Sequence, residues 1–375
     1  MTTAIATAAG TRPWPGLIQA YRPHLPVSER TPIVTLHEGN TPLVPAPGLS
    51  RCIDPAGRVQ VLLKFDGANP TGSFKDRGMT MAMSKALEEG KRAVVCASTG
   101  NTSASAAAYA ARAGMQCVVL IPKGNIALGK LSQAMLYGAE VFEVEGNFDD
   151  CLRLVVEMGE SLPVEIVNSI NPYRIQGQKT AAFEIIDQLG GEPPDFQFMP
   201  VGNAGNITAY WLGYSEAAAD GRVSRRPVMC GFQAAGANPI VRGAPVEKPE
   251  TIATAIRIGN PASWKQAVAA RDESGGIIED VTDEEILEQY KWTARTEGLI
   301  AEPASLAGVA GLVKVAKRGF FEARLSGRSP SHPLRIVCIL TGHGLKDPER
   351  AIKCATAPTT VPADLKEVAK RLRLG

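Results

Sequence analysis

The feature that most constrains the fold is a regular alternation of short strands with helices that end in glycine. The segment "AVVCAS" predicts a strand, "TSASAAAYAARAG" a helix that ends at Gly114, and "QCVVLIP" the next strand. The alternation continues with "GKLSQAMLYG", which ends at Gly138, and resumes from "KTAAFEIIDQLGG" to "LRIVCILTG". Such a pattern is typical of right-handed βαβ units around a parallel sheet. The sequence therefore predicts an α/β protein.

The alternation occurs in two series, which predicts two doubly wound parallel-sheet domains. A chain of 375 residues is long enough for two or three domains. We predict a large domain from residues 1–88 and 177–375 and a small domain from residues 89–176, with the earliest strands returning to the large one. Ligands of open α/β sheets bind at the carboxyl ends of strands. We therefore expect a site in the cleft between the domains, on loops that follow strands.

Composition and charge exclude several classes of function. A net charge of +2 gives no electrostatic argument for nucleic acid or for an anionic membrane surface. The longest apolar runs, such as "CVVLI" and "IVCIL", are far shorter than the roughly 20 residues of a membrane span. The seven cysteines form no C-x-x-C pair and the four histidines are dispersed, so no metal site is predicted. Several cysteines lie in apolar runs, which favours reduced thiols and a cytoplasmic protein.

The segment "NPTGSFKDRG" (residues 69–78) sets Lys75 between a glycine-containing loop and the start of a predicted helix. A lysine in such a position is most often a solvated surface residue. A lysine that is partly desolvated in a cleft has a lowered pKa instead, and it can form a Schiff base with an aldehyde. The residues of this loop alone leave both interpretations open.

Three further strand-end loops carry groups that suit a phosphorylated cofactor. "ASTGNTSAS" (residues 97–105) has more hydroxyls and amides around Gly100 than one helix cap needs, which indicates an anion site as readily as a cap. "PVGNAGNIT" (residues 200–208) combines two glycines with two asparagines, as in a phosphate cradle or an ordinary turn. Thr341 in "CILTGHG" ends an apolar strand and could be a capping hydroxyl. Together with Lys75, these loops supply the groups that hold pyridoxal 5'-phosphate.

The order and spacing of "NPTGSFKDRG", "ASTGNTSAS", "GNAGN" and "LTGHGLKD" resemble those of the fold-type II pyridoxal-phosphate enzymes, and among these the threonine synthase family. The resemblance covers nearly the whole chain, from "HEGNTPLVPAPGLS" at residue 37 to residue 347. It implies a tryptophan synthase β-like fold, pyridoxal 5'-phosphate as cofactor, and Lys75 as the lysine that forms the Schiff base.

The same resemblance implies roles for further residues around the cofactor. Asn101 would contact its phenolic oxygen and Thr341 its ring nitrogen. The cofactor phosphate would be held by the glycine and asparagine loop, which comprises Gly202, Asn203, Ala204, Gly205 and Asn206.

The resemblance also implies a substrate, O-phospho-L-homoserine, which is converted with water to L-threonine and phosphate. This substrate needs a second anion site. "VNSINPYRIQGQKT" follows a predicted strand and brings in Arg174, which can hold a phosphate through two parallel hydrogen bonds. Similar residues bind the substrate phosphate in threonine synthases, which favours Asn168, Ser169 and Arg174, with Lys130 as an addition. Thr99 and Thr102 are candidates for the substrate carboxylate, and a homodimer is a family expectation.

Three alternatives stay open at this point. A threonine or serine dehydratase shares the fold and the cofactor but needs no second phosphate site, and cysteine synthase is another relative. A non-catalytic, threonine-synthase-like binding protein would keep the pocket, although the presence of Lys75 argues against it. The signatures "GSFKDRG" and "GNAGN" favour threonine synthase over the dehydratases and over cysteine synthase.

Overall fold

A computed structural model describes residues 13–124 and 128–372, with only the backbone described for residues 128–130. Its first half contains α1 (Leu17–Ala20), β1 (Leu43–Pro45), α2 (Pro47–Ile53), β2 (Val59–Phe65), α3 (Lys75–Glu88), β3 (Ala93–Ala97), α4 (Asn101–Ala113), β4 (Gln116–Pro122), α5 (Leu128–Leu136), β5 (Glu140–Val144), α6 (Phe148–Ser161), β6 (Val164–Ile166) and α7 (Pro172–Gln188). Its second half contains β7 (Phe196–Pro200), α8 (Gly205–Ala219), β8 (Val228–Ala234), α9 (Pro239–Arg242), α10 (Trp264–Ser274), β9 (Ile277–Val281), α11 (Asp283–Thr296), α12 (Leu306–Lys317), β10 (Leu334–Leu340), α13 (Pro348–Cys354) and α14 (Leu365–Leu372).

The larger sheet has six strands in the spatial order β1-β2-β10-β7-β8-β9. All neighbouring pairs are parallel except β1 with β2. Strand β2 pairs along its whole length with β10, and Leu63 lies opposite Cys338. The early strand therefore returns to the second half of the chain, as the sequence predicted.

Both faces of the larger sheet are buried, because alternate residues of each strand enter two different apolar cores. Val61, Leu63 and Cys338 point into a core that also contains side chains of α2, α11 and α12. Leu62 and Val337 point the opposite way, into a core with α7, α8 and α10. Near-continuous apolar strands are what a sheet covered on both sides requires. The predicted doubly wound architecture is confirmed.

The smaller sheet has four parallel strands in the order β5-β4-β3-β6. One of its faces packs against α3, α4 and α5, and the other against α6. The strands of this sheet all lie between residues 93 and 166. Within the described residues, no helix combines the length and apolar character needed to cross a membrane.

Helix α7 begins at Pro172, earlier than the predicted start at Lys179. The Asn171 side chain accepts a hydrogen bond from the Tyr173 backbone N–H, and Pro172 occupies the first helical position. Both features favour a helix start. The helix therefore runs through residue 176, where we predicted a domain boundary, and the exact domain ranges stay a prediction.

Helices α3 and α7 cross in close contact because glycine occupies the crossing point on each. A Cβ atom on Gly177 would lie 1.9 Å from the Arg77 carbonyl oxygen. A Cβ atom on Gly78 would lie 2.9 Å from the Arg174 carbonyl oxygen. The crossing fixes the beginning of α3, where Lys75 lies, against the α7 segment that carries Arg174.

Replacing Gly177 with alanine should therefore destabilise the fold. Alanine favours helices, but the added methyl group would force α3 and α7 apart, so we expect the free energy of unfolding to fall by about 3 kcal/mol. Urea unfolding followed by circular dichroism measures the change. Glu160→Ala, at an exposed position of α6, is the control and should unfold like the parent protein. An unchanged transition for Gly177→Ala would contradict the close crossing.

Candidate active site

Three loops of the larger sheet converge because their strands are neighbours. Strands β2, β10 and β7 lie side by side and run in the same direction, so the segments that follow them share one edge of the sheet. Lys75 follows β2, Thr341 follows β10, and Gly202 follows β7. The order of strands thus brings together three of the predicted loops that are far apart in the sequence.

The loop before Lys75 is bonded directly to the loop after β10. The Phe74 N–H donates to the Thr341 carbonyl at 2.9 Å, and the His343 N–H donates to the Gly72 carbonyl at 2.9 Å. Gly72 has a φ of +85°, a conformation that side-chain-bearing residues rarely adopt. These bonds hold Lys75 and Thr341 in fixed register.

The first turn of α3 is anchored on both sides of the lysine. The Asp76 carboxylate accepts bonds from the Thr71 N–H at 2.7 Å, from the Thr71 hydroxyl at 2.6 Å and from the Ser105 hydroxyl at 2.6 Å. Burial raises the pKa of Asp76 to about 6, against the lowering effect of these bonds. Arg77 is buried between Asp66, at 2.7 Å, and Glu184, at 2.6 Å. Lys75 therefore begins a helix whose next two residues cannot move freely.

Lys75 has the electrostatics of a reactive amine. Burial and, to a smaller extent, the nearby Arg174 guanidinium lower the pKa of its amine to about 7, while the Glu302 carboxylate acts in the opposite sense. Its ammonium nitrogen lies 4.4 Å from the centre of the Phe74 ring. An amine with this pKa is about half unprotonated near neutral pH and largely unprotonated at slightly alkaline pH. Only an unprotonated amine can attack an aldehyde or accept a proton.

The loop from Gly202 to Asn206 leads into helix α8, which begins at Gly205. Ala204 has a φ of +64°, in the left-handed region that is unusual for alanine. No side chain of the described ranges caps this helix start. The Nδ2 atom of Asn206 is buried and has no hydrogen-bond partner within the described part of the chain. A Cβ atom on Gly202 would come within 3.0 Å of Ile256. The loop thus presents N–H groups at a positive helix end, which is a suitable site for a phosphate.

Asn101 and Thr341 both have neighbours that the sequence did not suggest. The Asn101 Nδ2 atom donates to the two carboxylate oxygens of Glu302, at 3.1 and 3.0 Å. The Thr341 hydroxyl lies 2.9 Å from the Ser305 hydroxyl, and the Ser305 Oγ atom also accepts from the Gly342 N–H at 3.0 Å. Asn101 is the first residue of α4, and the preceding Gly100 provides no side-chain cap for the helix. Thr99 and Thr102 are near it in the sequence and are half-buried.

A second candidate anion site lies on the segment after β6. Arg174 is 1% exposed, and its Nη1 atom donates to the Val167 carbonyl at 3.1 Å. Its buried Nε atom has no partner within the described residues. Ser169 is half-buried nearby in sequence. A buried guanidinium without a carboxylate partner is costly, so an anion is the ligand that would complete this site.

Asn168 and Lys130 are the other two residues predicted to contact the phosphate of the substrate. The Asn168 amide bonds in both directions to the Ala97 backbone, with each distance at 3.0 Å, so much of its capacity is used in joining β6 to the end of β3. The backbone of Lys130 lies in α5, but its side chain is outside the described residues. Both assignments stay predictions.

The residues that are present fit the predicted cofactor. Its phosphate suits the uncapped start of α8 with the unpartnered Asn206 amide, and its aldehyde suits the Lys75 amine. Its ring nitrogen suits the Thr341 hydroxyl, which is shared with Ser305. The Arg174 site is a separate place for a second anion.

Sequence reasoning missed four residues at this site. Glu302 and Ser305 belong to the segment "EPAS", which precedes the apolar helix α12. The sequence signal was a glutamate before a proline, with a serine two residues after that proline. Lys346 and Gln133 meet at the Thr71 carbonyl, where Lys346 donates at 3.2 Å and Gln133 at 3.3 Å. This last contact joins α5 to the loop that precedes Lys75.

Comparison with known sequences gives consistent matches. A family model described as "Pyridoxal-phosphate dependent enzyme" matches residues 34–342. The chain is 57% identical to a threonine synthase of Synechocystis sp. over 91% of this chain and 85% of the relative. It is 56% identical to a threonine synthase of Mycobacterium leprae over 97% of both chains.

Solved structures share the fold at lower sequence identity. The processed form of threonine deaminase isoform 2 from Solanum lycopersicum superposes with a TM-score of 0.69 at 20% identity, over 90% of this chain and 88% of that one. Maize serine racemase superposes with a TM-score of 0.68 at 19% identity, over 84% and 92%. These similarities concern the architecture alone.

The lowered pKa of Lys75 can be tested in the cofactor-free protein. Only the unprotonated amine reacts with acetic anhydride, so labelling of Lys75 should rise through a midpoint near pH 7. Mass spectrometry of the peptide that contains Lys75 measures the midpoint. A free lysine derivative in the same solution serves as control, with an ordinary midpoint at about pH 10.4. A Lys75 midpoint equal to that of the control would contradict the desolvated site.

Proposed function

The chain belongs to the pyridoxal-phosphate dependent enzymes, and we propose that it converts O-phospho-L-homoserine and water to L-threonine and phosphate. Its similarity to threonine synthases extends over nearly its full length, and threonine synthase activity is its function. It is thus a pyridoxal 5'-phosphate-dependent lyase that acts on a small amino-acid substrate. What we propose beyond this activity is that the substrate is phosphorylated, together with the role of each residue in the site.

The single observation that carries the choice of substrate is the presence of two separate anion-accepting groups. One is the uncapped start of α8 at Gly205, which suits the cofactor phosphate. The other is the buried Arg174 guanidinium on α7, which has an unpartnered Nε atom. A dehydratase would need only the first of these, whereas a phosphorylated substrate also needs the second.

Lys75 is proposed to hold the cofactor as a Schiff base and to move protons on the substrate. When bound, pyridoxal 5'-phosphate supplies a conjugated ring that stabilises negative charge on the substrate carbon. The Lys75 amine has a pKa of about 7, so it can accept a proton from Cα and return one near neutral pH. The bonds of Asp76 and Arg77 keep the start of α3 fixed while this proton moves.

The other proposed residues bind and orient. Arg174 stabilises the phosphate of the substrate and the charge that grows on it as the bond to Cγ breaks. Thr341 offers a hydroxyl, not a carboxylate, to the ring nitrogen, and its bond to Ser305 fixes that hydroxyl. Such a partner does not hold the nitrogen protonated, which favours elimination and replacement over transamination. Thr99 and Thr102 at the start of α4 are proposed to hold the substrate carboxylate.

Two wider properties are also proposed. We place the enzyme in the cytoplasm because its seven cysteines are free thiols and four of them lie in strands of the two sheets. We further propose that it works as a homodimer, on the expectation set by the family. Neither proposal affects the chemistry assigned to Lys75 and Arg174.

Lys75→Ala tests the proposed reaction directly. The variant should lose phosphate release from O-phosphohomoserine and the visible absorption of the bound cofactor, because it lacks the amine that holds the cofactor and moves the proton. A coupled phosphate assay and an absorption spectrum of the same preparation provide the two measurements. Lys291→Ala, at an exposed position of α11, is the matched control and should behave like the parent protein. Parent enzyme that releases no phosphate would contradict the proposed substrate, and near-normal turnover by Lys75→Ala would contradict the role of the lysine.

Arg174→Ala separates the two phosphate sites. Loss of a charge-assisted hydrogen bond costs about 1.5–3 kcal/mol, so the affinity for O-phosphohomoserine should fall by roughly one to two powers of ten. Cofactor affinity should hold, because the α8 start is untouched. The measurements are steady-state phosphate release and a cofactor titration, with Arg153→Ala on the exposed side of α6 as control. If cofactor affinity collapses while substrate affinity holds, the two sites have been assigned in the wrong order.

A further inference from the structure

Glu302 is a buried carboxylate in contact with the proposed site, and no step above uses it. Its side chain is 6% exposed and lies just before the short helical turn Pro303–Ser305. The Glu302 N–H donates to the Gly342 carbonyl at 2.9 Å. A Cβ atom on Gly342 would lie 2.5 Å from a carboxylate oxygen of Glu302. The carboxylate is thus packed against the backbone that immediately follows Thr341.

The contact of Glu302 with Asn101 determines which way the amide faces. An ionised carboxylate only accepts hydrogen bonds, so the Asn101 group that faces it must be the NH₂. The Nδ2 atom lies 3.1 and 3.0 Å from the two oxygens of Glu302. Because both oxygens belong to one carboxylate, a single N–H of the amide can be shared between them, which leaves the second N–H for another acceptor. The phenolic oxygen of the cofactor is the acceptor that we propose for Asn101.

The same carboxylate contributes negative charge where two amines are partly desolvated. Burial and then Arg174 lower the pKa of Lys75, and Glu302 acts against both. Burial lowers the pKa of Lys346, and Glu302 again acts in the opposite sense. The Lys346 ammonium is held at the Thr71 carbonyl, close in sequence to Lys75. Removing the charge of Glu302 would leave Lys75 facing Arg174 with less compensation.

We propose that Glu302 is a positioning residue of the active site, which orients the Asn101 amide toward the cofactor and balances the charge of Arg174 at Lys75. The inference rests on the proposed function, because it deepens the role given there to Asn101. A purely structural role for Glu302, as a link between α4 and the segment after α11, would need its hydrogen bonds but not its charge. Glutamine preserves the shape and can accept a bond from Asn101, so Glu302→Gln separates these two roles.

The first measurement is the affinity for pyridoxal 5'-phosphate, from a titration followed by absorption. Because the amide introduced by Glu302→Gln can also donate, it no longer forces the Asn101 nitrogen toward the cofactor, and affinity should fall roughly tenfold. Asn101→Ala should weaken cofactor binding as well. The variant that combines Glu302→Gln with Asn101→Ala should bind the cofactor no more weakly than Asn101→Ala alone, because Glu302 acts on the cofactor through Asn101. Additive losses in the double variant would overturn this part of the inference.

The second measurement is the acetylation midpoint of Lys75 in the cofactor-free protein. Glu302→Gln should shift this midpoint to lower pH, because the charge that favours the ammonium is gone. Asn101→Ala keeps that charge and should leave the midpoint in place. A folded Glu302→Gln protein with parent-like midpoint and parent-like cofactor affinity would overturn the inference. If Glu302→Gln does not fold, unaltered cofactor affinity in Asn101→Ala would overturn it.

The control is Glu288→Gln, the same change at an exposed position of α11, which should alter neither measurement. Both measurements are made without O-phosphohomoserine. If the parent enzyme releases no phosphate from that substrate, the proposed function fails while the role of Glu302 is still tested. If the parent enzyme releases phosphate, while Glu302→Gln keeps the parent cofactor affinity and the parent Lys75 midpoint, only the proposed role of Glu302 fails.

Discussion

The site depends on one buried cluster of charges, in which Arg77 joins Asp66 and Glu184. The Arg77 guanidinium lies 2.7 Å from Asp66 and 2.6 Å from Glu184, and Lys64 lies 2.8 Å from Glu184. Burial disfavours the charge on Glu184, but Arg77 and Lys64 hold the pKa of Glu184 below its usual range. Removing one partner from such a buried set costs about 3–5 kcal/mol, because it leaves another charge uncompensated. The cluster therefore fixes the mutual positions of β2, α3 and α7.

This fixed frame has consequences for chemistry, because Lys75 lies only two residues before Arg77. Helix α3 cannot turn about its axis without breaking the ion pairs of Arg77, so those ion pairs set the direction of Lys75. Helix α7 contributes Glu184 to the cluster and Arg174 to the second anion site. Gly177 allows the two helices to cross closely between these points. The fold therefore determines both the orientation of the amine and the guanidinium that lowers its pKa.

Much of this arrangement could be predicted from the sequence, and the remainder has a common physical reason. Lys75, Asn101, the Gly202 loop and Thr341 each follow a strand, and the carboxyl ends of parallel strands are where sites form. The strands and helices from β2 to α8 were predicted because their apolar patterns are local, whereas α1, β1 and α2 were not predicted. Glu302 was missed because its contact with Asn101 joins residues 201 positions apart. The start of α7 was predicted too late because Asn171 and Pro172 act as start signals, whereas the apolar pattern begins further on.

The two proposed anion sites differ in their physical character, and this difference suits their ligands. The start of α8 offers N–H dipoles and the Asn206 amide but no full positive charge among the residues that form its loop. In the proposed assignment, this site holds the cofactor phosphate, which stays bound throughout the reaction. Arg174 offers a full charge in a buried position, where attraction is stronger than in water. Charge grows on the substrate phosphate as its bond breaks, so a full charge at that site stabilises the transition state more than the bound substrate. In the proposed assignment, the guanidinium therefore acts on the phosphate whose negative charge grows, and the helix start acts on the phosphate whose charge stays constant.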